Sequence, residues 1–182
     1  MRPLTALLAV LLASAAGLRG ASAQRRHDVV VYGGTSAGVM AAVEAARLRH
    51  NVVLIEPGRH LGGLTSGGLG ATDIGRKEAI GGLAREFYRR VKLHYANPGA
   101  WKYGKPEDFR SIHHDPAEDV MFFFEPHVAE KIFSDLLRET KVEVVFGERL
   151  DLKAGVVKRG PAITEIVMES GRRFPGQVFI DA

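Results

Sequence analysis

Cysteine is absent from the 182-residue sequence. Disulfide bonds, thiolate metal sites and cysteine nucleophiles are therefore excluded, and the fold has to be stabilised by packing and by ligand binding. With 46% hydrophobic residues, the chain can bury the core of one domain of ordinary size, but it is too short for a second full domain.

A strong excess of either charge is also absent. The formal net charge is +4, and Arg2 and Arg19 supply two of those positive charges. Such a weak excess predicts no nucleic-acid partner. The sequence has no serine–histidine–aspartate order around a nucleophile elbow, no phosphate-loop lysine and no isolated pair of carboxylates, so hydrolytic chemistry is not predicted either.

A metal site is not predicted, although two neighbouring histidines are present. His113, His114 and Asp115 carry ligand atoms, but adjacent side chains on a strand or loop point apart, and no further ligand follows at a useful spacing. We assign them to a solvated loop. Asp73 and His127 are candidates for substrate contact, although such residues more commonly serve in turns and at helix ends.

The apolar run from Leu4 to Ala16 is too short to span a bilayer comfortably. It follows Met1-Arg2 and precedes the small residues Ala21-Ser22-Ala23, which is the three-part pattern of a signal peptide. We predict that residues 1–23 are removed and that the mature chain, from Gln24, is periplasmic or secreted, with no stable membrane span. An uncleaved membrane anchor is the alternative.

The next segment has the pattern of a strand, a tight turn, a helix and a second strand. Asp28–Tyr32 and Val52–Ile55 are apolar without alternation, which is typical of strands buried on both faces of a parallel sheet. The alanine-rich stretch Ala37–Arg49 predicts a helix, closed by Asn51 in the left-handed conformation. Together they predict a right-handed βαβ unit with two adjacent parallel strands.

Two amphipathic helices are predicted further along, because apolar residues recur at helical spacing. These residues are Ile80, Leu83, Ala84, Phe87 and Val91 in the first helix, and Val128, Ala129, Ile132, Phe133, Leu136 and Leu137 in the second. Pro126 suits the first position of the second helix. The solvated face of the first helix is predicted to carry Arg85, Arg89, Arg90 and Lys92.

Residues 76–125 are predicted to be an inserted helix and loop. The stretch Tyr95–Glu118 is rich in proline, glycine, histidine and charge, and we expect a long loop or lid with little regular structure. An exposed loop around Trp101 and Phe109 that binds a protein partner is a third possibility for the function of this segment.

The last third of the chain predicts short strands separated by turns. The strands are expected at 142–146, 155–157, 163–168 and 178–180, with a turn at Ser170-Gly171. The predicted fold class is therefore α/β: a Rossmann-like parallel sheet with an antiparallel excursion, in a domain that covers residues 24–182.

A glycine-rich turn between the first strand and the helix consists of Gly33, Gly34, Thr35, Ser36, Ala37 and Gly38. In the G-x-G-x-x-G pattern the first glycine permits a tight turn and the last permits close packing of helix on strand. The amides at the helix start and the positive end of its dipole suit a pyrophosphate. Glu56 ends the second strand, where its carboxylate can accept both hydroxyls of an unmodified adenosine ribose.

Thr35 occupies the position of the middle glycine, which normally lets the backbone approach the pyrophosphate closely. Two consequences stay open: the threonine hydroxyl donates to a phosphate, or the binding of the nucleotide is weakened. A plain tight turn between a strand and a helix is the alternative to a nucleotide site.

From Asp28 to Ala182 the chain resembles the FAD-dependent oxidoreductases with a glutathione-reductase-like Rossmann fold. Their dinucleotide segment is similar to Asp28–Glu56, and their second glycine motif is similar to Leu61-Gly62-Gly63. This second motif implies FAD as the ligand. Because the loop after the ribose-binding acid runs beneath the pyrophosphate and flavin in such flavoproteins, the resemblance implies cofactor contacts from Gly62, Gly63, Leu64, Thr65 and Ser66.

The resemblance also implies that 142–146 is a third parallel strand, that the stretch around Leu150 passes the adenine, and that the following strands form the antiparallel excursion. Val178–Ala182 resembles the beginning of a late strand that closes over the cofactor. The remaining flavin-binding segment and a substrate domain are then expected beyond Ala182, which would make this chain an N-terminal fragment.

The implied activity is that of an exported FAD-dependent oxidoreductase acting on a small organic substrate by hydride transfer. No catalytic acid or base is predicted, and neither the substrate nor the oligomeric state follows from the sequence. Two alternatives stay open: a Rossmann dehydrogenase that uses NAD, and a truncated nucleotide-binding module without turnover.

Overall fold

A six-stranded sheet forms the centre of the computed structural model, which describes residues 26–111 and 115–182. The proposed signal peptide, residues 1–23, and the pair His113-His114 lie outside the described residues. The strands are β1 (His27–Tyr32), β2 (Val52–Glu56), β3 (Glu143–Phe146), β4 (Val156–Arg159), β5 (Ala162–Val167) and β6 (Arg173–Asp181), in the spatial order β3-β2-β1-β6-β5-β4.

The described chain has three α-helices, which are α1 (Ser36–Arg47), α2 (Gly82–Tyr95) and α3 (Pro126–Glu139). Pro126 is the first residue of α3, as predicted. Across the two described ranges, no helix combines the length and the hydropathy that crossing a membrane requires.

Strand β1 lies between two parallel neighbours. Val29 is opposite Val52 of β2 on one side and Val178 of β6 on the other. On the far side of β2, Val53 pairs with Glu143 of the parallel strand β3. These pairings confirm the predicted βαβ unit, the third parallel strand beside it and the Rossmann-like sheet.

Strand β6 is longer than predicted and serves two parts of the sheet. Arg173–Pro175 pair antiparallel with β5, whereas the residues from Gly176 onward pair parallel with β1. The sequence predicted only Val178–Ile180, because Pro175 and Gly176 interrupt the apolar pattern. The strands β4, β5 and the start of β6 form the predicted antiparallel excursion, with its turn at Ser170-Gly171.

The sheet separates two apolar clusters. Val31 and Leu54 face the three helices, whereas Val30 faces Ile166 and Phe174 of the antiparallel strands. Successive side chains of a strand point to opposite faces, so both faces of β1 and β2 are buried. This two-sided burial accounts for the absence of polar alternation in both strands.

Helices α1 and α3 end in the left-handed conformation at Arg49 (φ 69°) and Lys141 (φ 58°). The N–H groups of Arg49 and His50 donate to carbonyls of the last turn of α1, which is the bonding of a Schellman motif. The prediction that Asn51 takes the left-handed position is therefore wrong. Asn51 instead donates its N–H to the Asp28 carboxylate at 2.8 Å, next to the start of β2.

The segment around α2 differs from the prediction at the start of the helix. Helix α2 begins at Gly82, so Ile80 lies outside the helix to which its spacing assigned it. The loop after the helix contains short 3₁₀ turns, and most of its residues are exposed. Trp101 and Phe109 in this loop are half-buried and pack against the cluster that contains the helices. Burial of large aromatic surface favours this arrangement.

The basic residues of α2 form contacts within the chain. Arg85 and Arg89 both bind the Asp119 carboxylate, and Lys92 donates to the Pro116 carbonyl at 3.2 Å. The face that was predicted to be only solvated therefore anchors the segment that precedes α3 to helix α2.

Glu86 connects the three helices. Its carboxylate accepts hydrogen bonds at 2.8 Å from both terminal nitrogens of Arg47 on α1 and at 2.9 Å from Arg90 on α2 itself. Arg90 also donates to Glu139 on α3 at 2.7 Å. The hydrogen bonds from Arg47 are the largest influence on Glu86, and they lower its pKa to about 2.

The lowered pKa predicts a pH-dependent stability. A carboxyl whose folded pKa lies below its unfolded value contributes stability that is present above the unfolded pKa of 4.5 and is lost as the pH falls through about 2. We expect Glu86→Gln to lower the free energy of unfolding at neutral pH by about 1 kcal/mol, since the pair is partly exposed. Denaturant unfolding at several pH values measures this.

The difference between Glu86→Gln and the unmodified protein should shrink between pH 4.5 and 2. Glu107→Gln is the matched control, because Glu107 is an exposed loop residue. A difference that stays constant over this pH range would contradict the assigned role of Glu86.

Candidate functional site

The glycine-rich turn lies where the carboxyl ends of β1, β2 and β6 meet. Gly33 has a φ of 103°, which favours glycine, and its N–H donates to the Ile55 carbonyl at 2.8 Å. A side chain at Gly33 would collide with the backbone of Ala182, directly after β6. A side chain at Gly38 would collide with the Gly33 carbonyl. These two glycines therefore allow the tight turn and the close helix packing that the sequence predicts.

Thr35 is the N-cap of α1. Its backbone is extended (φ −63°, ψ 170°), so the conformation does not require glycine here. The Oγ1 atom accepts the Gly38 N–H at 3.1 Å, which leaves the hydroxyl proton available for another acceptor. Ser36 and Ala37 follow in the first turn of α1, which carries no acidic side chain, so no side chain of this turn neutralises the positive end of the helix dipole.

The Glu56 carboxylate joins the end of β2 to the glycine-rich turn. Its Oε2 accepts the Gly34 N–H and its Oε1 accepts the Gly58 N–H, both at 2.6 Å. A Cβ atom at Gly34 would lie 2.7 Å from Oε2, so a side chain at this position would displace the carboxylate. Each carboxylate oxygen has a second lone pair for another donor. Glu56 thus has a structural role that no sequence pattern indicated.

The second glycine motif is joined to the first turn by the backbone. The Gly62 N–H donates to the Gly34 carbonyl at 2.7 Å. Gly62 has a φ of 104°, and a Cβ atom there would lie 2.5 Å from the Phe133 ring on α3. Gly63 lies beside Thr35: a Cβ atom built on Gly63 would be 3.5 Å from the Thr35 Cα. The structure therefore brings both glycine motifs into one surface.

Leu64, Thr65 and Ser66 follow in a short 3₁₀ turn and its cap. The Leu64 side chain is 81% exposed, whereas Thr65 and Ser66 are half-buried. The Ser66 hydroxyl donates to the Leu61 carbonyl, which stabilises the loop from within. Its oxygen keeps a lone pair for a further donor.

Leu150 lies apart from the glycine motifs, on the other face of the sheet. Its side chain packs with Tyr32 and Ile163 against the cluster beneath the antiparallel strands. Its N–H donates to the Tyr32 hydroxyl at 3.0 Å. The structure places Leu150 near the end of β1 but does not bring it into the surface formed by the glycine motifs.

Glu130 is a contributor that the sequence did not single out. From helix α3 it accepts the Leu61 N–H at 3.1 Å, and its carboxylate lies 3.0 Å from the His60 Nδ1. A glutamate on the polar side of an amphipathic helix has no distinguishing pattern, so this anchor of the second glycine motif is visible only in three dimensions.

Other polar candidates lie elsewhere. Asp73 lines a cavity that also touches Ser111 and Phe123, and His127 lies at the start of α3 near His94. Burial and the nearby His127 lower the pKa of His94. Among the residues that the structure describes, no group of histidine, aspartate and glutamate side chains could hold a metal ion.

The amides around the turn fit a dinucleotide. Within residues 26–111 and 115–182, no hydrogen-bond acceptor contacts the N–H groups of Ala37, Gly63 and Leu64. Unpaired amides at the positive end of a helix are suited to a pyrophosphate, and the free lone pairs of Glu56 are suited to ribose hydroxyls. The residues present therefore fit the two polar parts of FAD.

A family model described as FAD dependent oxidoreductase matches residues 28–182. The chain belongs to this family. FAD is therefore its cofactor, and it supplies two-electron redox chemistry when bound. The match favours FAD over the NAD alternative. Comparison with curated protein sequences gives no match.

Solved structures of other flavoproteins share the fold. An L-proline dehydrogenase from P. horikoshii is 15% identical with a TM-score of 0.53, over 87% of this chain and 53% of that chain. A flavin-containing monooxygenase from Stenotrophomonas maltophilia is 14% identical with a TM-score of 0.51, over 86% and 38%. An L-amino acid deaminase from Proteus vulgaris is 18% identical with a TM-score of 0.50, over 86% and 52%. The chain therefore spans between about a third and about half of the length of these three proteins.

The two hydrogen bonds that Glu56 accepts predict how Glu56→Gln changes the stability of the protein. Glutamine has one acceptor oxygen, so one of the N–H groups of Gly34 and Gly58 loses its acceptor, which we expect to cost about 1 kcal/mol. Because the Gly58 contact is the more exposed one, hydrogen exchange should accelerate at Gly58 more than at Gly34. Denaturant unfolding and amide exchange measured by NMR check both expectations.

Glu44→Gln is the control for this change, because Glu44 is exposed on α1. Equal stability and equal Gly58 exchange in Glu56→Gln and Glu44→Gln would show that the carboxylate does not hold the turn.

Proposed function

We propose that this chain binds FAD through the glycine-rich turn and Glu56, and that the bound flavin oxidises or reduces a small organic substrate. The observation that carries the proposal is the position of the Glu56 carboxylate, hydrogen-bonded at 2.6 Å to the amide of Gly34. This contact puts the acid beside the turn whose amides suit the pyrophosphate.

The ribose of the adenosine is the proposed partner of Glu56. Each oxygen of the carboxylate already accepts one backbone N–H and retains a lone pair, so two ribose hydroxyls can donate to the same group. A 2′-phosphate at this place would be repelled by the carboxylate, which favours an unmodified ribose.

The pyrophosphate is the proposed partner of the start of α1 and of the second glycine motif. The unpaired amides of Ala37, Gly63 and Leu64 can donate to phosphate oxygens, and the dipole of α1 favours their negative charge. We assign the free hydroxyl proton of Thr35 to the same phosphates. Thr65 and Ser66 are proposed to contact the cofactor from the loop, and the backbone around Leu150, near the end of β1, to pass the adenine.

Binding and turnover are separate properties of this chain. The chain spans only about a third to about half of the length of the solved flavoproteins that share its fold, so residues that touch the substrate in the whole protein can lie outside this chain. We propose that FAD binding is a property of this chain itself. If the chain binds FAD but shows no turnover, it is a nucleotide-binding module, and the proposed cofactor site still holds.

An FAD titration tests the proposal, with flavin fluorescence and the visible spectrum as readouts and NAD as the competitor. We expect saturable FAD binding that NAD does not displace. Thr35→Val should weaken binding about tenfold, because a hydrogen bond to a charged phosphate is lost, whereas Thr35→Ser should retain it.

Thermal unfolding of both variants separates cofactor contact from helix capping, since valine also removes the N-cap. Reduced stability of Thr35→Val with unchanged FAD affinity would limit Thr35 to capping. Saturable binding of NAD with no binding of FAD would overturn the proposed function.

We also propose that the protein is exported. The support is the sequence of residues 1–23, in which an apolar run of ordinary signal-peptide length precedes Ala21-Ser22-Ala23. The absence of cysteine is compatible with an oxidising compartment, because no thiol needs protection there.

Expression of the full chain in a bacterial host should place it in the periplasmic fraction with Gln24 at its N-terminus, which N-terminal sequencing checks. Ala23→Leu should leave the leader attached, since a small residue is needed before the cleavage site. A chain that starts at residue 24 is the control and should stay in the cytoplasm. Full-length, uncleaved protein in the membrane fraction would favour the anchor instead.

A further inference from the structure

An aromatic cavity of about 300 Å³ lies between the end of α2, the loop that follows it and the segment before α3. Its walls include Tyr95, Trp101, Phe109, Met121 and Phe123. The ring centroids lie 5.4 Å apart for Tyr95 and Trp101, 5.9 Å for Trp101 and Phe109, and 5.8 Å for Phe109 and Phe123. The four rings therefore form a continuous aromatic wall.

The polar atoms of this wall are already hydrogen-bonded. The Trp101 Nε1–H donates to the Tyr95 carbonyl at 2.8 Å. The Tyr95 hydroxyl donates to the Glu125 Oε2 at 2.8 Å and accepts the Glu125 N–H at 2.9 Å. Burial raises the pKa of Tyr95 to about 12, so the hydroxyl stays protonated at neutral pH. The rings are held in place and present apolar surface to the cavity.

Glu125 is the acidic group at the polar end of the cavity. Its Oε1 has no hydrogen-bond donor in the described part of the chain, whereas Oε2 is held by Tyr95. Lys102 also borders the cavity, but it is exposed, so its charge is largely screened by water. The less exposed carboxylate therefore dominates the electrostatics at this end.

The segment before α3, which lines the cavity, is hydrogen-bonded through its backbone to the loop that continues from the second glycine motif. The Phe124 N–H donates to the Gly70 carbonyl at 2.9 Å, and the Thr72 N–H donates to the Phe122 carbonyl at 3.2 Å. Ala71 and Phe123 form an antiparallel bridge between these two contacts. One strand of this short ladder thus belongs to the loop after the second glycine motif, and the other carries Phe123, a ring of the aromatic wall.

We propose that this cavity binds a small molecule made of one aromatic ring and a protonated amine. The ring packs edge-to-face against the aromatic wall, and the ammonium donates to the Glu125 carboxylate. A volume of about 300 Å³ suits a ligand of this size. The binding of this ligand does not depend on the proposed function. The further step, that the ligand is the substrate of the flavin, rests on the proposed function.

Trp101 is the single tryptophan of the sequence, so its fluorescence reports on the cavity alone. We would titrate the protein without FAD with 2-phenylethylamine, and in parallel with 2-phenylethanol, phenylacetate and n-butylamine. Saturable binding of 2-phenylethylamine, at least about tenfold tighter than the other three, is expected, because only this probe supplies both the ring and the charge. No saturation, or equal affinity for any one of the other three probes, overturns the proposal.

Two variants test the assignment within the protein. Glu125→Gln should weaken 2-phenylethylamine about tenfold, whereas Glu78→Gln, at an exposed position, should not. Ala100→Phe places a ring inside the cavity and should abolish binding. Because Glu125 also precedes α3, thermal unfolding accompanies each titration. If Glu125→Gln fails to fold, Ala100→Phe decides, and retained binding in that variant overturns the proposal.

A parallel FAD titration separates the two hypotheses. Binding of FAD without binding of 2-phenylethylamine overturns the aromatic-amine site and leaves the cofactor site standing. If the protein binds 2-phenylethylamine but does not bind FAD, the cavity assignment is supported and only the cofactor proposal is overturned.

Discussion

The two hydrogen bonds of the Glu56 carboxylate are the contacts on which the rest of the site depends. They hold the amide of Gly34 in the first turn and that of Gly58 in the following loop, both at 2.6 Å, and hydrogen bonds to an ionised acceptor are stronger than neutral ones. The Gly147 N–H, just after β3, donates to the carbonyls of both Glu56 and Gly58. One residue therefore aligns the carboxyl ends of β1, β2 and β3 before any ligand binds.

The βαβ unit could be predicted from the sequence because its determinants are local. Two unbroken apolar runs, a glycine-rich turn and an alanine-rich stretch occur within one short segment, and each favours the same structure. The end of α1 could not be predicted as well, because arginine in a left-handed conformation at Arg49 has no residue-type signature. The helix stops there because the next N–H groups find carbonyls in its last turn.

Contacts between distant segments explain the remaining differences. Trp101 and Phe109 occur in a polar loop, and only the arrangement of α2 and the segment before α3 provides the apolar surface that half-buries them. The solvated appearance of Arg90 likewise hides its bond to Glu139, 49 residues away. For the candidate site, the first glycine motif and Glu56 could be predicted from spacing, and the second glycine motif from the family resemblance. Glu130 could not be predicted, since its partners Leu61 and His60 lie about 70 residues earlier.

The glycines of the site are required for different reasons, and the comparison explains why threonine is accommodated at position 35. Gly33 and Gly62 have positive φ values, and Gly38 is limited by the approach of α1 to β1. The position of Thr35 has neither constraint, because its backbone is extended and its side chain has room to cap the helix. Glycine at this position of the motif therefore matters only for access to the pyrophosphate. A side chain here keeps the backbone further from the pyrophosphate, but it is compatible with nucleotide binding if it donates a hydrogen bond to the phosphates instead. The Thr35 hydroxyl can do so, because it accepts the Gly38 N–H and still has a proton to donate.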